Sequence, residues 1–294
     1  MPALFTGVIA SLLLVANTLF WAPLLLLFAL CKLLMPSAAL RKPFSKLVDG
    51  CANGWISCNS GWMKLTQKMD WQIRTPANLS TQQWYFVVSN HQSWVDILVL
   101  QHVLNGRVPL LKFFLKQELI WVPIMGMAWW ALDFPFMKRY SKAYLDKHPE
   151  KRGQDLETTR KSCEKFQTIP TSVMNFLEGT RFTQAKHDQQ KSAYRHLLQP
   201  KSGGMAFALS VMGGRFNSLL DVTIHYPDGI PTFWQFLQGQ MPRCQVVIDE
   251  KVIPTELLEG DYQNDSDYRT RFQLWVQTLW QEKDELLESL RTDD

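Results

Sequence analysis

Along the 294 residues the arrangement of apolar and polar positions changes character twice. Residues 2 to 31 carry no charged side chain. As one helix they would reach about 45 Å at 1.5 Å per residue, more than the roughly 30 Å hydrocarbon layer of a bilayer. The segment is therefore either a long tilted span or a span broken near Pro23 that dips into one leaflet. A signal peptide is disfavoured, because no basic region precedes the apolar stretch and the stretch is too long. Between residues 44 and 68 the positions Leu47, Cys51, Trp55, Cys58, Trp62 and Leu65 recur every three or four residues, the period of an amphipathic helix. Gly50 and Gly54 are spaced to let this helix approach the first closely. An interfacial helix and a helix lying on a globular core are equal alternatives for it.

From about residue 80 the period alternates between two and three to four. Strands are expected near 83–89, 108–114, 130–136, 171–177, 219–226 and 243–252. Helices are expected near 94–105, 116–127, 154–168, 202–212 and 265–290. Strands separated by helical stretches predict an α/β fold with a mixed sheet covered by helices, preceded by the N-terminal membrane-anchoring helical segment. The expected division is an anchoring and interfacial part, residues 1–72, and an α/β domain, residues 73–294. That domain ends in an amphipathic helix whose stripe is Tyr268, Phe272, Trp275, Leu279, Leu286 and Leu290. No repeat or low-complexity tract interrupts it.

Composition narrows the classes. A formal charge of +4 does not call for nucleic acid, whereas 12 Trp and 17 Phe suit a protein that touches a bilayer. Five cysteines, odd in number and without a C-x-x-C pair, argue against a disulfide framework or zinc site and fit a reducing cytosol. The six histidines are scattered, and no metal is expected. Lys32, Arg41, Lys42 and Lys46 follow the apolar segment, which places its C-terminal side in the cytoplasm (the inner or plasma membrane in a bacterium). Lys138 to Lys165 holds nine basic against five acidic residues. Most of these form a solvated face, with Lys138, Arg139 and Lys142 the better candidates for an anionic headgroup.

Two stretches carry chemistry. Trp84 to Val88 reads as a buried strand that runs through Ser89 and Asn90 into His91, with an apolar helix beginning near Ile97. The strand-to-helix junction is a frequent address for chemistry in α/β folds. Asp96 lies five residues after His91. If the turn tightens, its carboxylate reaches one imidazole nitrogen, fixes the tautomer and leaves the other as a base for a substrate hydroxyl. A satisfied histidine beside a helix-capping aspartate is the plainer alternative. The second stretch, Val173 to Leu177, reads as another buried strand. It runs into Glu178-Gly179-Thr180-Arg181, where a close-approach glycine beside a guanidinium fork suits a phosphate.

Asn90, His91 and Asp96 match an N-H-x4-D motif, and Phe176, Glu178, Gly179, Thr180 and Arg181 match F-P-E-G-T-R, with Leu177 in place of the proline. Leu115 to Leu119 with Pro123, Gly126 and Arg139, and then Leu220 to Thr223, resemble the intervening and last blocks. Over roughly residues 80 to 230 the chain thus resembles the glycerolipid acyltransferase family, of the 1-acylglycerol-3-phosphate acyltransferase type. Phe182-Thr183-Gln184 and Leu197 to Gly203 look like the lysophospholipid and lysocardiolipin branch. The resemblance implies transfer of an acyl group from acyl-CoA or acyl-carrier protein, a co-substrate rather than a cofactor, to a lysophospholipid in the membrane bilayer. The expected acceptor is 1-acylglycerol-3-phosphate, with lysophosphatidylglycerol or lysocardiolipin as alternatives. His91 would be the base and Asp96 its partner. Arg181 would hold the acceptor phosphate within a binding set that includes Gly179 and Thr180, helped by Lys116 and Arg139. Glu178 would bond the glycerol or orient Arg181. A membrane-anchored regulatory protein without turnover is the other class, disfavoured by the intact His91, Asp96, Glu178 and Arg181. A serine hydrolase is disfavoured by the lack of a G-x-S-x-G elbow.

Overall fold

The computed structural model describes residues 2–137 and 169–292. The helix expected over 154–168 and the basic residues Lys138, Arg139 and Lys142 lie outside the described residues.

Helix α1 (Ala3–Leu34) runs unbroken through Pro23, so the broken-span alternative is set aside. At 32 residues it is about 48 Å long. It is the one described helix long and apolar enough to cross a membrane. Helix α2 (Ala38–Thr66) folds back along it. Asn17 Nδ2 of α1 donates to Trp55 O at 2.9 Å and to Asn59 Oδ1 at 2.8 Å, so a half-buried amide fixes the pairing. Gly54 is required here: a Cβ would stand 2.4 Å from the Trp21 ring. Gly50 has no such neighbour. The buried stripe of α2 is Val48, Cys51, Ala52, Ile56, Trp62 and Met63, while the expected Leu47 and Leu65 are exposed.

Strands β1 (Asp70–Arg74), β2 (Tyr85–Ser89), β3 (Leu111–Phe113), β6 (Ser172–Phe176), β7 (Ser218–His225) and β8 (Arg243–Lys251) form one mixed sheet in the order β1-β8-β7-β2-β6-β3. All its pairings are parallel except β7 with β8. The two-residue strands β4 (Leu115–Lys116) and β5 (Phe136–Met137) pair apart from it. The helices after α2 are α3 (Val95–Leu104), α4 (Met125–Ala131), α5 (Gln184–Gln190), α6 (Gly203–Met212), α7 (Phe233–Leu237) and α8 (Ser266–Thr292). Period-2 alternation divides the core into two layers. Tyr85 and Val87 face a cluster with α1 to α4, whereas Phe86 and Val88 face one with α6 and α8.

Helix α8 is fastened to β7 by Lys283. Its fully buried ammonium lies 2.5 Å from Asp221 Oδ1 and donates to Val222 O at 2.7 Å and Thr223 Oγ1 at 3.0 Å. Burial pushes Lys283 down from its ordinary pKa, and the Asp221 carboxylate pulls it back up.

Residues 115–137 depart from expectation. The helix expected over 116–127 is a short 3-10 turn, Gln117–Trp121, followed by a break and then α4. Pro123 cannot donate and biases its predecessor away from helix, and Ile124 turns at φ +64°. The strand expected over 130–136 is the end of α4, a turn with Asp133 at φ +60°, and β5. A run of aromatic and apolar residues there fits either period, and packing decides. Strand β1 and the short helices α5 and α7 were not expected. The burial of β1 alternates between exposed and half-buried, which is a weak apolar signal.

Candidate active site

Ser89 stands opposite Phe176 where β2 pairs with β6, and β7 runs parallel on the other side of β2. The carboxyl ends of three strands therefore share one edge of the sheet, the edge at which α/β folds bind ligands. This register brings His91 and the turn after Phe176 together although 85 residues separate them.

The imidazole Nδ1 of His91 lies 2.8 Å from Asp96 Oδ2. Asp96 is in the first turn of α3, and the same oxygen accepts the backbone N–H groups of Gln92 (2.6 Å) and Ser93 (2.9 Å). One carboxylate thus orients the imidazole and ties down the loop before α3, whose N-cap position, Trp94, makes no side-chain cap bond. Its other oxygen accepts the Tyr226 hydroxyl at 2.6 Å. Burial, with the Asp96 charge beside it, pushes the Tyr226 pKa well up, so this hydroxyl keeps its proton and donates. The ring of His91 stacks on Phe176, centroids 4.0 Å apart and 14° from parallel. Asn90 pairs by its amide with both backbone groups of Ile224 (2.8 and 2.9 Å), tying β2's exit to β7.

Glu178 does not face a substrate. It is fully buried, Oε1 accepting His91 N–H at 2.8 Å and Oε2 accepting Leu198 N–H at 3.1 Å. The sequence expectation that it bonds glycerol or orients Arg181 is therefore corrected. Gly179 adopts φ +67° and its N–H closes a turn onto Phe176 O at 2.9 Å, which leaves Glu178 directed inward. Burial pushes the Glu178 carboxyl up to about 8 against the pull of its two amide donors. On the other side of His91, its carbonyl accepts Phe182 N–H at 2.7 Å. The turn thus grips the His91 backbone at both ends.

Thr180 Oγ1 accepts from Lys186 Nζ at 2.8 Å, and the Arg181 guanidinium lies 4.9 Å above the half-exposed Trp94 ring. Lys116 is exposed on β4, and Arg139 lies outside the described residues. Among the described residues no three His, Cys, Asp or Glu side chains gather as metal ligands.

His91 and Phe176 also share the wall of an apolar cavity of about 280 Å³. Leu25 of α1, Trp55 of α2, Leu98 of α3 and Ala128 of α4 are among the residues that line it. None of its described lining residues is Asp, Glu, Lys or Arg. Sequence reasoning missed Tyr226 and the Leu198 amide. Each meets its carboxylate only through the fold, and no local pattern marks either. The stacking role of Phe176 was equally invisible, although the residue belongs to a recognised motif.

Residues 70–226 match the family model described as Acyltransferase. The chain is 25% identical over 258 residues to mouse (Mus musculus) 1-acyl-sn-glycerol-3-phosphate acyltransferase gamma, covering 79% of this chain and 63% of the relative. It is 28% identical over 212 residues to the human (Homo sapiens) delta form, covering 67% of this chain and 50% of that protein. The chain thus spans only about half to two thirds of the length of these curated relatives. Among solved structures, a 1-acyl-sn-glycerophosphate (LPA) acyltransferase, PlsC, from Thermotoga maritima superimposes with a TM-score of 0.56 over 96% of both chains. At 19% identity that likeness speaks for the fold alone.

Proposed function

The chain belongs to the acyltransferase family, and from that premise we propose that it moves a fatty acyl group from a thioester to the free hydroxyl of a lysophospholipid. The observation that carries the reading is His91, held by Asp96, in the wall of an apolar cavity. The acyl chain lies in the cavity, which puts its thioester carbonyl beside the imidazole. Nε2 of His91 takes the proton of the acceptor hydroxyl while the oxygen attacks the carbonyl carbon. Asp96, steadied by Tyr226 and two amides, stabilises the imidazolium. The tetrahedral intermediate then collapses, the C–S bond breaks, and the leaving thiolate takes the proton back from His91. General-base help of this kind is worth roughly 10²–10⁴-fold. The rest falls to orientation within the cavity and to donors around the oxyanion.

The proposed acceptor is 1-acylglycerol-3-phosphate, which yields phosphatidic acid, as the printed names of the relatives suggest. Arg181 takes its phosphate. The guanidinium stacks on Trp94, and Glu178, the partner it would need as a mere loop brace, is occupied by amides. Charge-assisted pairing of this kind favours Arg over Lys. Residues 1–72 act as the anchor and residues 73–294 as the catalytic unit on the cytoplasmic side, a reading supported by α1 and the basic residues after it.

The test is to incubate the full chain with one acyl thioester and a panel of lysophospholipids, reading products by mass spectrometry. Diacyl product with the phosphate acceptor, lost in folded His91→Ala, is expected. Turnover in His91→Ala equal to wild type would sink the mechanism, and preference for a different headgroup would move the acceptor.

A further inference from the structure

A second cavity, about 600 Å³, lies further along the α1–α2 hairpin, and none of its described lining residues is shared with the cavity beside His91. Its charged lining is Lys32 from α1, Arg41, Lys42 and Asp49 from α2, Lys112 from β3, and Asp133. Among the described lining residues four basic side chains stand against two acidic, an excess of two positive charges. Lys32 is paired with Asp133 at 2.5 Å, and Lys112, only 6% exposed, stands 3.8 Å from Asp49. Arg41 donates from Nε to Met35 O at 2.8 Å and makes no other side-chain hydrogen bond among the described residues. The remaining lining includes Leu33 and Trp130, both continuous with exposed apolar surface on α1 and α4.

We propose that this cavity binds the phosphate headgroup of an anionic membrane phospholipid that is held and not consumed. The volume suits a headgroup, since ligand sites run to about 300–1,000 Å³. A basic recess beside the end of a long apolar helix is where anionic headgroups are captured. The amphiphile matches in both halves, its phosphate meeting Arg41, Lys42 and Lys112 while its chains follow the outer face of α1 around Leu30, Leu33 and Leu34. Because the walls come from the hairpin and from β3 and Asp133 alike, a bound headgroup bridges anchor and sheet. The inference does not depend on acyl transfer.

The experiment uses the full chain in neutral detergent with equal amounts of phosphatidylglycerol and phosphatidylcholine, the retained lipid read by native mass spectrometry. Wild type should retain phosphatidylglycerol with about tenfold preference, and Arg41→Gln with Lys42→Gln should bring the ratio to within about twofold of unity. Arg271→Gln with Arg291→Gln, the same loss of charge on exposed sites of α8, should keep the wild-type ratio. Should the first pair of substitutions lower the melting temperature, Lys112→Met is read in the same assay and should also reduce the ratio. No preference in wild type, or equal ratios in both double variants, overturns the proposal. Displacement of the lipid by millimolar inorganic phosphate would reassign the cavity to free phosphate and overturn the lipid.

Discussion

On one side of the sheet α6 and α8 close over Phe86, Val88 and Leu219, with Tyr268, Phe272 and Trp280 buried to 2% exposure or less. On the other side α1 to α4 cover Tyr85 and Val87 yet leave open space beside His91. The filled side carries a buried ion pair, and the open side carries the candidate chemistry. A reacting carbonyl and a chain of methylenes need space, whereas Lys283 and Asp221 need the opposite, walls that cannot yield. Stability and activity should therefore respond to substitutions on different faces.

The largest expected effect is on the filled side. Lys283→Met strands the Asp221 carboxylate in the interior and should cost about 3–5 kcal/mol in chemical denaturation. Adding Asp221→Leu should recover most of that loss, because the uncompensated charge is then gone. A loss no larger than a typical surface substitution would mean that this face is not braced by the pair. On the open side, Ala128→Trp should lower turnover of long-chain thioesters by at least about tenfold while sparing short ones. Equal turnover across chain lengths would break the assignment of the cavity to the acyl chain.

Two smaller effects test the seam between the faces. Tyr226→Phe removes one hydrogen bond to a charged group and should lower kcat about tenfold with KM little changed and the melting temperature lowered by a few degrees. A rise in KM alone would show that Tyr226 acts on binding rather than through Asp96. Glu178 should give a different kind of signal, a pH dependence. Its folded pKa of about 8 exceeds the ordinary 4.5, so the native state holds this proton more tightly than the unfolded chain. The contribution is complete below 4.5 and fades as the pH rises through 8, and stability should decline across that window. Glu178→Gln should flatten the decline in denaturation midpoints, and an unchanged slope would assign the titration elsewhere.

How far the sequence could be read follows from the range of each interaction. Strands β2, β6, β7 and β8 and helices α3, α6 and α8 lie close to their expected limits, because burial writes its period into consecutive residues. The His91–Asp96 contact spans five residues and was foreseeable from local turn geometry. Tyr226 is 130 residues from Asp96 and Leu198 is 20 from Glu178, and neither carries a local mark. The role of Glu178 was misjudged because residue type alone places a carboxylate next to an arginine. The turn at Gly179, with its positive φ, sends the two side chains apart. The segment 115–137 failed through composition, since aromatic residues around Pro123 satisfy either period.

The place of β1 in the sheet bears on the order of events during synthesis. Asp70 pairs with Arg243, so the strand that leaves the α1–α2 hairpin finds its neighbour 173 residues later. At about 5–20 residues per second the ribosome needs roughly 9–35 s to deliver that neighbour. The hairpin is complete long before then and can enter the bilayer while the sheet still lacks its outer half. Through this wait β1 presents an unpaired edge, a hazard for self-association. Five residues with a charge at each end, Asp70 and Arg74, make a poor template for such pairing. The hairpin therefore precedes closure of the sheet in time, and β8, the last described strand, is the one that pairs with β1.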